Sequence, residues 1–155
     1  MKNTIKIHLK EKTDYQNKYN EKILSYSLSN YILEETKGIN PKEKIQFTIT
    51  LDFELTTQEK NDLVDMIRNN FGADISEIIN KSKKQQLANL SLLIISSVLI
   101  IISSILNIKI LAQFILILGW VFLGESLCNF LYKSIDNKYN ISRRKQIVNA
   151  KVYFE

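Results

Sequence analysis

Cysteine occurs once in this 155-residue chain, at Cys128, and histidine once, at His8. An internal disulfide and a CxxC pair are thereby excluded, and a lone imidazole brings no second ligand for zinc. The four glycines, Gly38, Gly72, Gly119 and Gly124, match neither GxGxxG nor a P-loop. Acid pairs such as Glu34-Glu35 and Asp52/Glu54 read as solvated faces, and Cys128 reads as apolar filling rather than a nucleophile. No catalytic set emerges, so the chain is expected to be a non-enzyme that needs no cofactor and no metal. The N-terminus is also not expected to act as a secretory signal. Met1 to Lys12 alternates charged and apolar residues and has no apolar core of about 7–15 residues.

Charge is absent where its absence says most. No charged residue lies between Lys84 and Lys109, and Glu125 is the one exception between Lys109 and Lys133. Each stretch supplies the roughly 20 apolar residues that a helix needs to cross a hydrocarbon core of about 30 Å. The expected fold class is therefore an α+β membrane protein. An antiparallel two-helix transmembrane hairpin (87–106 and 110–132) would carry a small cytoplasmic sheet of about three strands, covered by two or three helices. Residues 1–86 would form the cytoplasmic α/β part. Residues 133–155 would form a C-terminal helix extension and a strand joining the sheet.

Basic residues flank these stretches. Residues 1–86 hold 14 Lys/Arg against 13 Asp/Glu, whereas 133–155 hold 6 against 2. Lys81, Lys83 and Lys84 precede the first span, and Lys133, Lys138, Arg143, Arg144 and Lys145 follow the second, while the turn carries only Lys109. The positive-inside rule then places both termini in the cytoplasm of a multi-pass protein of the cell membrane. Lys81, Lys83, Lys84, Arg143, Arg144 and Lys145 are candidates for contact with anionic lipid. Clusters that flank spans argue against nucleic acid, whose binders gather basic residues on a folded face.

Within the spans, Asn89, Ser96 and Ser103 recur every seven residues, as do Ala112, Gly119 and Ser126. Around a turn near residue 108 they fall level as Ser103 with Ala112, Ser96 with Gly119 and Asn89 with Ser126. Small residues let backbones approach, and their polar groups can bond across a seam. Glu125 lies roughly 10 Å from the end near Tyr132, at about 1.5 Å per residue. An acid inside a span is a candidate for function, and Asn129, at i+4, is its natural hydrogen-bond partner. Trp120 sits too deep for an aromatic belt and is expected to pack in the hairpin, whereas Tyr132 suits the belt.

The remainder patterns as a soluble fold. Thr4 to Leu9 alternates, with Ile5, Ile7 and Leu9 on one face and Lys6, His8 and Lys10 on the other. Residues 44–55 alternate longer, from Ile45 through Phe47, Ile49, Leu51 and Phe53 to Leu55. Residues 148–154 form a third candidate strand. Residues 20–37 place Leu24, Leu28, Tyr31 and Ile32 at helical spacing before Gly38 and Pro41. Thr56 and Glu59 make a capping box ahead of an apolar stripe ending at Phe71, with Gly72 as a stop and a further helix over 74–86. A strand–helix–strand order predicts a parallel pair.

The segments LTTQEKNDLVDMIRNNFG (55–72), GWVFLGES (119–126) and NAKVYF (149–154) resemble a group of uncharacterised bacterial membrane proteins with two transmembrane helices and a small cytoplasmic domain. The resemblance covers about the C-terminal two thirds. Such proteins often carry Trp before the acid matching Glu125, where this chain has Gly124. The resemblance implies the two-span architecture and no particular activity. The reading favoured by the sequence is a membrane-anchored cytoplasmic interaction or regulatory module, with the lipid bilayer and a protein or homo-oligomeric partner. The alternative is an oligomerising effector or transport/channel subunit that uses Glu125.

Overall fold

Strand β1 (Asn3–Leu9) realises the first alternation, with Ile5, Ile7 and Leu9 buried and Lys6 and His8 exposed. A computed structural model describes residues 3–155 and shows an α+β fold with a small sheet and three helices. After β1 come a short hairpin, β2 (Gln16–Asn17) and β3 (Asn20–Leu24), helix α1 (Tyr26–Thr36) and strand β4 (Ile45–Leu51). Two long helices follow, α2 (Thr57–Ile105) and α3 (Lys109–Val148), before strand β5 (Lys151–Phe154).

The chain divides into two compact units: Met1–Glu77 with Tyr139–Glu155, and Ile78–Lys138. In the first, β4 lies between β1 and β5 and runs parallel to both. The register pairs Ile5 with Phe47, Ile7 with Ile49, and Phe47 with Val152. Period-2 geometry sends these side chains to one face. There they meet Leu28 and Ile32 of α1, Leu63, Ile67 and Phe71 of α2, and Ile147 of α3. Phe47, Ile49, Ile32, Leu63 and Phe71 have no exposed surface. The other face stays polar: Thr4, Lys6 and His8 run beside Gln46, Thr48 and Thr50, and the Gln46 Nε2 donates to Thr4 Oγ1 at 2.8 Å.

Four expectations need correction. The strand expected over 44–55 stops at Leu51. Its partner β1 ends there, at Leu9, whose carbonyl accepts from the Asp52 N–H, so the pairing with β1 goes no further. The strand expected over 148–154 starts only at Lys151. Asn149 and Ala150 still donate to Lys145 and Ile147, which prolongs the end of α3. The helix expected over 20–37 begins at Tyr26. Asn17 and Asn20 fold back onto the N–H groups of Tyr19 and Lys22, making a turn, and Ser25 caps α1 by accepting from Leu28 N–H at 3.3 Å.

Gly72 does not stop a helix; α2 runs straight through it. No glycine has positive φ, so the left-handed cap geometry is not adopted. A glycine inside a helix costs about 1 kcal/mol, and the buried side chains of Leu63, Ile67 and Phe71 on the same helix outweigh that.

The helix start is as expected. Glu59 N–H donates to Thr56 Oγ1, and Thr56 N–H returns a bond to Glu59 Oε2 at 2.8 Å. Lys12 adds an ion pair to the same carboxylate at 2.6 Å. The Lys12 bond, the Thr56 N–H bond and a further one from Thr56 Oγ1 at 2.9 Å together hold the Glu59 carboxyl down at about 2.

Candidate functional site

Helices α2 and α3 are long and apolar enough to cross a membrane by length and composition. Of the most apolar stretch of each, only 11 % is buried. The pattern within Ile78–Lys138 is the inverse of a water-soluble pair. Ser96 is 0 %, Ser126 2 % and Ser103 8 % exposed, whereas Ile101, Ile117 and Trp120 are 60 %, 61 % and 59 % exposed. The fully buried positions of the pair are small, Ser96, Ser103, Gly119 and Ser126, and much of its exposed surface is large and apolar.

The seam follows from the heptad. Ser82, Gln85, Asn89, Leu92, Ser96, Leu99, Ser103 and Leu106 alternate steps of three and four residues, and each is buried or half-buried. That period keeps one stripe against an antiparallel neighbour. At Gly119 a Cβ atom would stand 2.8 Å from Ile100 Cγ1 and 3.3 Å from the Ser96 carbonyl oxygen. Seven residues on, Ser126 Oγ donates to the Asn89 carbonyl at 2.8 Å. Ser96 thus sits level with Gly119, and Asn89 with Ser126. Ser103 is buried and Ala112 half-buried towards the turn.

Bonding across the seam is sparser than the sequence suggests. Ser96 and Ser103 donate within their own helix, to the carbonyls of Leu93 and Ile100. A hydroxyl satisfied three residues back is already paired, which leaves it no donor for the neighbour. Where Ser126 does bond across, it uses the Asn89 backbone, not its amide. Gln85 and Asn137, which the sequence reading passed over, are half-buried near Asn129 around a small polar cleft. The step of seven from Gln85 to Leu92 is the signal that would have found the first.

Glu125 is exposed on the outer surface of α3, and among the described residues it makes no hydrogen bond to Asn129, which is half-buried. Consecutive helical positions turn by about 100°, so Glu125 and the inward-facing Ser126 point different ways. Trp120 does not pack within the pair as expected; it too faces outward, as does Cys128. The seam positions beside Trp120 are filled by Gly119 and half-buried Phe122 and Leu123.

The six cations assigned to lipid separate into two kinds. Lys81, Lys83, Lys84 and Lys145 are exposed. Arg143 is a correction: it is 7 % exposed, donates to the Lys37 carbonyl at 3.1 Å and to the Tyr139 hydroxyl, and lies over the Tyr139 ring. Its planar guanidinium serves packing and hydrogen bonding inside the sheet-bearing unit. Arg144 pairs with Asp74 at 3.1 Å, with 18 % of its side chain exposed, so its charge is largely answered. Asp74 is 70 residues away, and no local pattern announces that pair.

No group of three His, Cys, Asp or Glu side chains is placed to hold a metal ion among the described residues. His8 Nε2 meets Asp52 Oδ1 at 2.6 Å on the open end of the sheet. No family model, curated protein or solved structure matches the chain.

Proposed function

We propose that the protein is an integral membrane protein whose antiparallel helix pair anchors a folded cytoplasmic interaction or regulatory module. The observation that carries this reading is the inverted burial: the fully buried positions of the pair are Ser96, Ser103, Gly119 and Ser126, while many of its Ile, Leu, Phe and Trp side chains are exposed. In water such a surface is an association or aggregation hazard; in hydrocarbon it is the expected solvent-facing side. Lengths agree. At about 1.5 Å per residue, residues 87–105 rise about 28 Å and 110–132 about 34 Å, against a hydrocarbon core of about 30 Å.

Lys81, Lys83, Lys84, Lys133 and Lys138 ring one end of the pair and Lys109 alone marks the other, which supports cytoplasmic termini. Each lysine near an anionic surface adds about 1 kcal/mol of attraction. The test is alkaline extraction of membranes from cells making the full-length chain. Recovery in the pellet, with a C-terminal reporter active in the cytoplasm, is expected. Recovery in the supernatant would overturn the membrane reading, and an external reporter would overturn the orientation.

A second reading has one specific observation behind it. Glu125, exposed on the apolar outer face of α3, would meet lipid without a partner. An acid at mid-span costs about 2.5–3.5 kcal/mol on insertion scales, less near an interface, and contact with another copy would relieve it. An oligomerising effector or transport subunit follows from that contact. Sizing in detergent and ion leak in liposomes, for wild type and Glu125→Gln, decide this. A monomer that leaves liposomes tight dismisses it.

A further inference from the structure

The sheet-bearing unit contains a cavity of about 730 Å³ where β4 and β5 begin and α3 ends. Four lysines stand around it: Lys42 and Lys44 before β4, Lys145 in the last turns of α3, and Lys151 opening β5. The chain brings them together from three places. Pairing of Gln46 with Lys151 in the parallel register sets the strand starts side by side. All four side chains are exposed, and none forms an ion pair with a carboxylate among the described residues. Among the described residues Glu43 is the only acid on the wall, and it is engaged by the Asn3 amide. The C-terminal end of α3 contributes roughly half a negative charge. The cavity therefore keeps an excess of about +2.5, unneutralised from within.

Gln146 forms the floor. It is 7 % exposed, and its Nε2 donates to the carbonyls of Asn40 at 2.9 Å and Glu43 at 2.8 Å, which fixes the loop that carries Lys42 and Lys44. Its Oε1 is buried and accepts no hydrogen bond among the described residues. That oxygen lies behind the surface, so the cations alone supply the polar contacts of the site. A cavity of this size falls within the range of about 300–1,000 Å³ seen for small-molecule sites, well above what a bare ion fills.

We infer that this cavity binds the phosphate group of a small phosphorylated molecule, with Lys42, Lys44, Lys145 and Lys151 as the cationic contacts. Lysine ammoniums suit phosphate as point charges, and four on mobile stems accommodate more than one phosphate. The site goes beyond the anchoring function proposed above and does not depend on it, because every residue named belongs to the sheet-bearing unit.

The probe is inorganic pyrophosphate, titrated by calorimetry into the full-length protein in nanodiscs of zwitterionic lipid. Saturable binding is expected, weakening by about tenfold or more in Lys44→Gln/Lys151→Gln, which removes two of the four charge-assisted contacts. Lys133→Gln/Lys138→Gln, which removes as much charge elsewhere, should leave it unchanged. Nanodiscs of anionic phospholipid separate the two sources of phosphate. If the natural ligand is free, the pyrophosphate affinity is the same in both discs; if it is a lipid headgroup, anionic discs compete, and they stop competing in the lysine double variant. No saturable binding, or equal binding by wild type and Lys44→Gln/Lys151→Gln, overturns the site. Loss of the protein from membranes at alkaline pH would sink the anchoring function and leave this result standing.

Discussion

Alanine at Gly119 would set a methyl carbon 2.8 Å from Ile100 Cγ1, 3.3 Å from the Ser96 carbonyl oxygen and 3.4 Å from the Ile100 nitrogen. Carbon pairs rest at about 3.5–4.0 Å, so the overlap with Ile100 approaches an ångström. Isoleucine is held near one χ1 rotamer in a helix, and the carbonyl cannot rotate away at all. The helices must therefore separate by several tenths of an ångström along the seam. Overpacking of this kind costs about 1–3 kcal/mol, set against about 1 kcal/mol gained from the better helix propensity of alanine.

The net expected loss is about 0–2 kcal/mol for Gly119→Ala, and a larger one for Gly119→Leu. Gly124 is the internal control, because a Cβ there meets nothing within 4 Å, and Gly124→Ala should be neutral or slightly stabilising. Unfolding in mixed micelles, followed by circular dichroism, measures both. A cysteine pair at Ser96 and Gly119 tests the same contact by crosslinking. Gly119→Leu as harmless as Gly124→Ala would refute the close antiparallel packing from which the inverted burial is argued.

Three further outcomes test other parts of the fold. The Glu59 carboxyl, at about 2 against 4.5 in the unfolded chain, favours the folded state above about pH 4.5 and loses that contribution as pH falls towards 2; Glu59→Gln should flatten the thermal stability of the protein over that window, and an unchanged acid limb would show the Thr56–Glu59–Lys12 cluster to be idle. Phe47→Ala removes a fully buried ring from the central strand and should cost about 3–5 kcal/mol in denaturant unfolding; a loss below about 1 kcal/mol would place the ring outside the core. Arg143→Ala leaves the Lys37 carbonyl without its donor and should cost about 1–3 kcal/mol, whereas Lys145→Ala, exposed, should cost under about 0.5 kcal/mol; equal effects would undo the distinction between the buried and the free cation.

Local pattern made the strands, the capped start of α2 and the heptad seam legible, because each depends on spacing alone. Ile5, Ile7 and Leu9 alternate whatever the rest of the chain does, and Thr56 with Glu59 closes a box within one turn. Errors fell where a distant partner decides. Strand β4 ends where β1 ends, which Phe53 and Leu55 cannot reveal. Gly72 stays helical because the stripe of Leu63, Ile67 and Phe71 holds that helix to the sheet. The β2–β3 hairpin was hidden by Leu24, whose spacing to Leu28 mimics a helix although Ser25 between them is the cap.

Charge shows the same division more sharply. Arg143, Arg144 and Lys145 are consecutive in sequence and chemically alike, yet a helix turns about 100° at each step and sends them to three fates. Arg143 goes under the α1 C-terminus to Lys37, Arg144 to Asp74, and Lys145 to the cavity beside Lys42 and Lys44. A run of basic residues beside an apolar span therefore does not act as one electrostatic patch. Only the cations left without a carboxylate can attract an anion from solution or from a membrane. In the sheet-bearing unit Lys42, Lys44, Lys145 and Lys151 are such cations, and in the helix pair Lys83, Lys84, Lys133 and Lys138 are, so the two units should respond to separate sets of lysine substitutions.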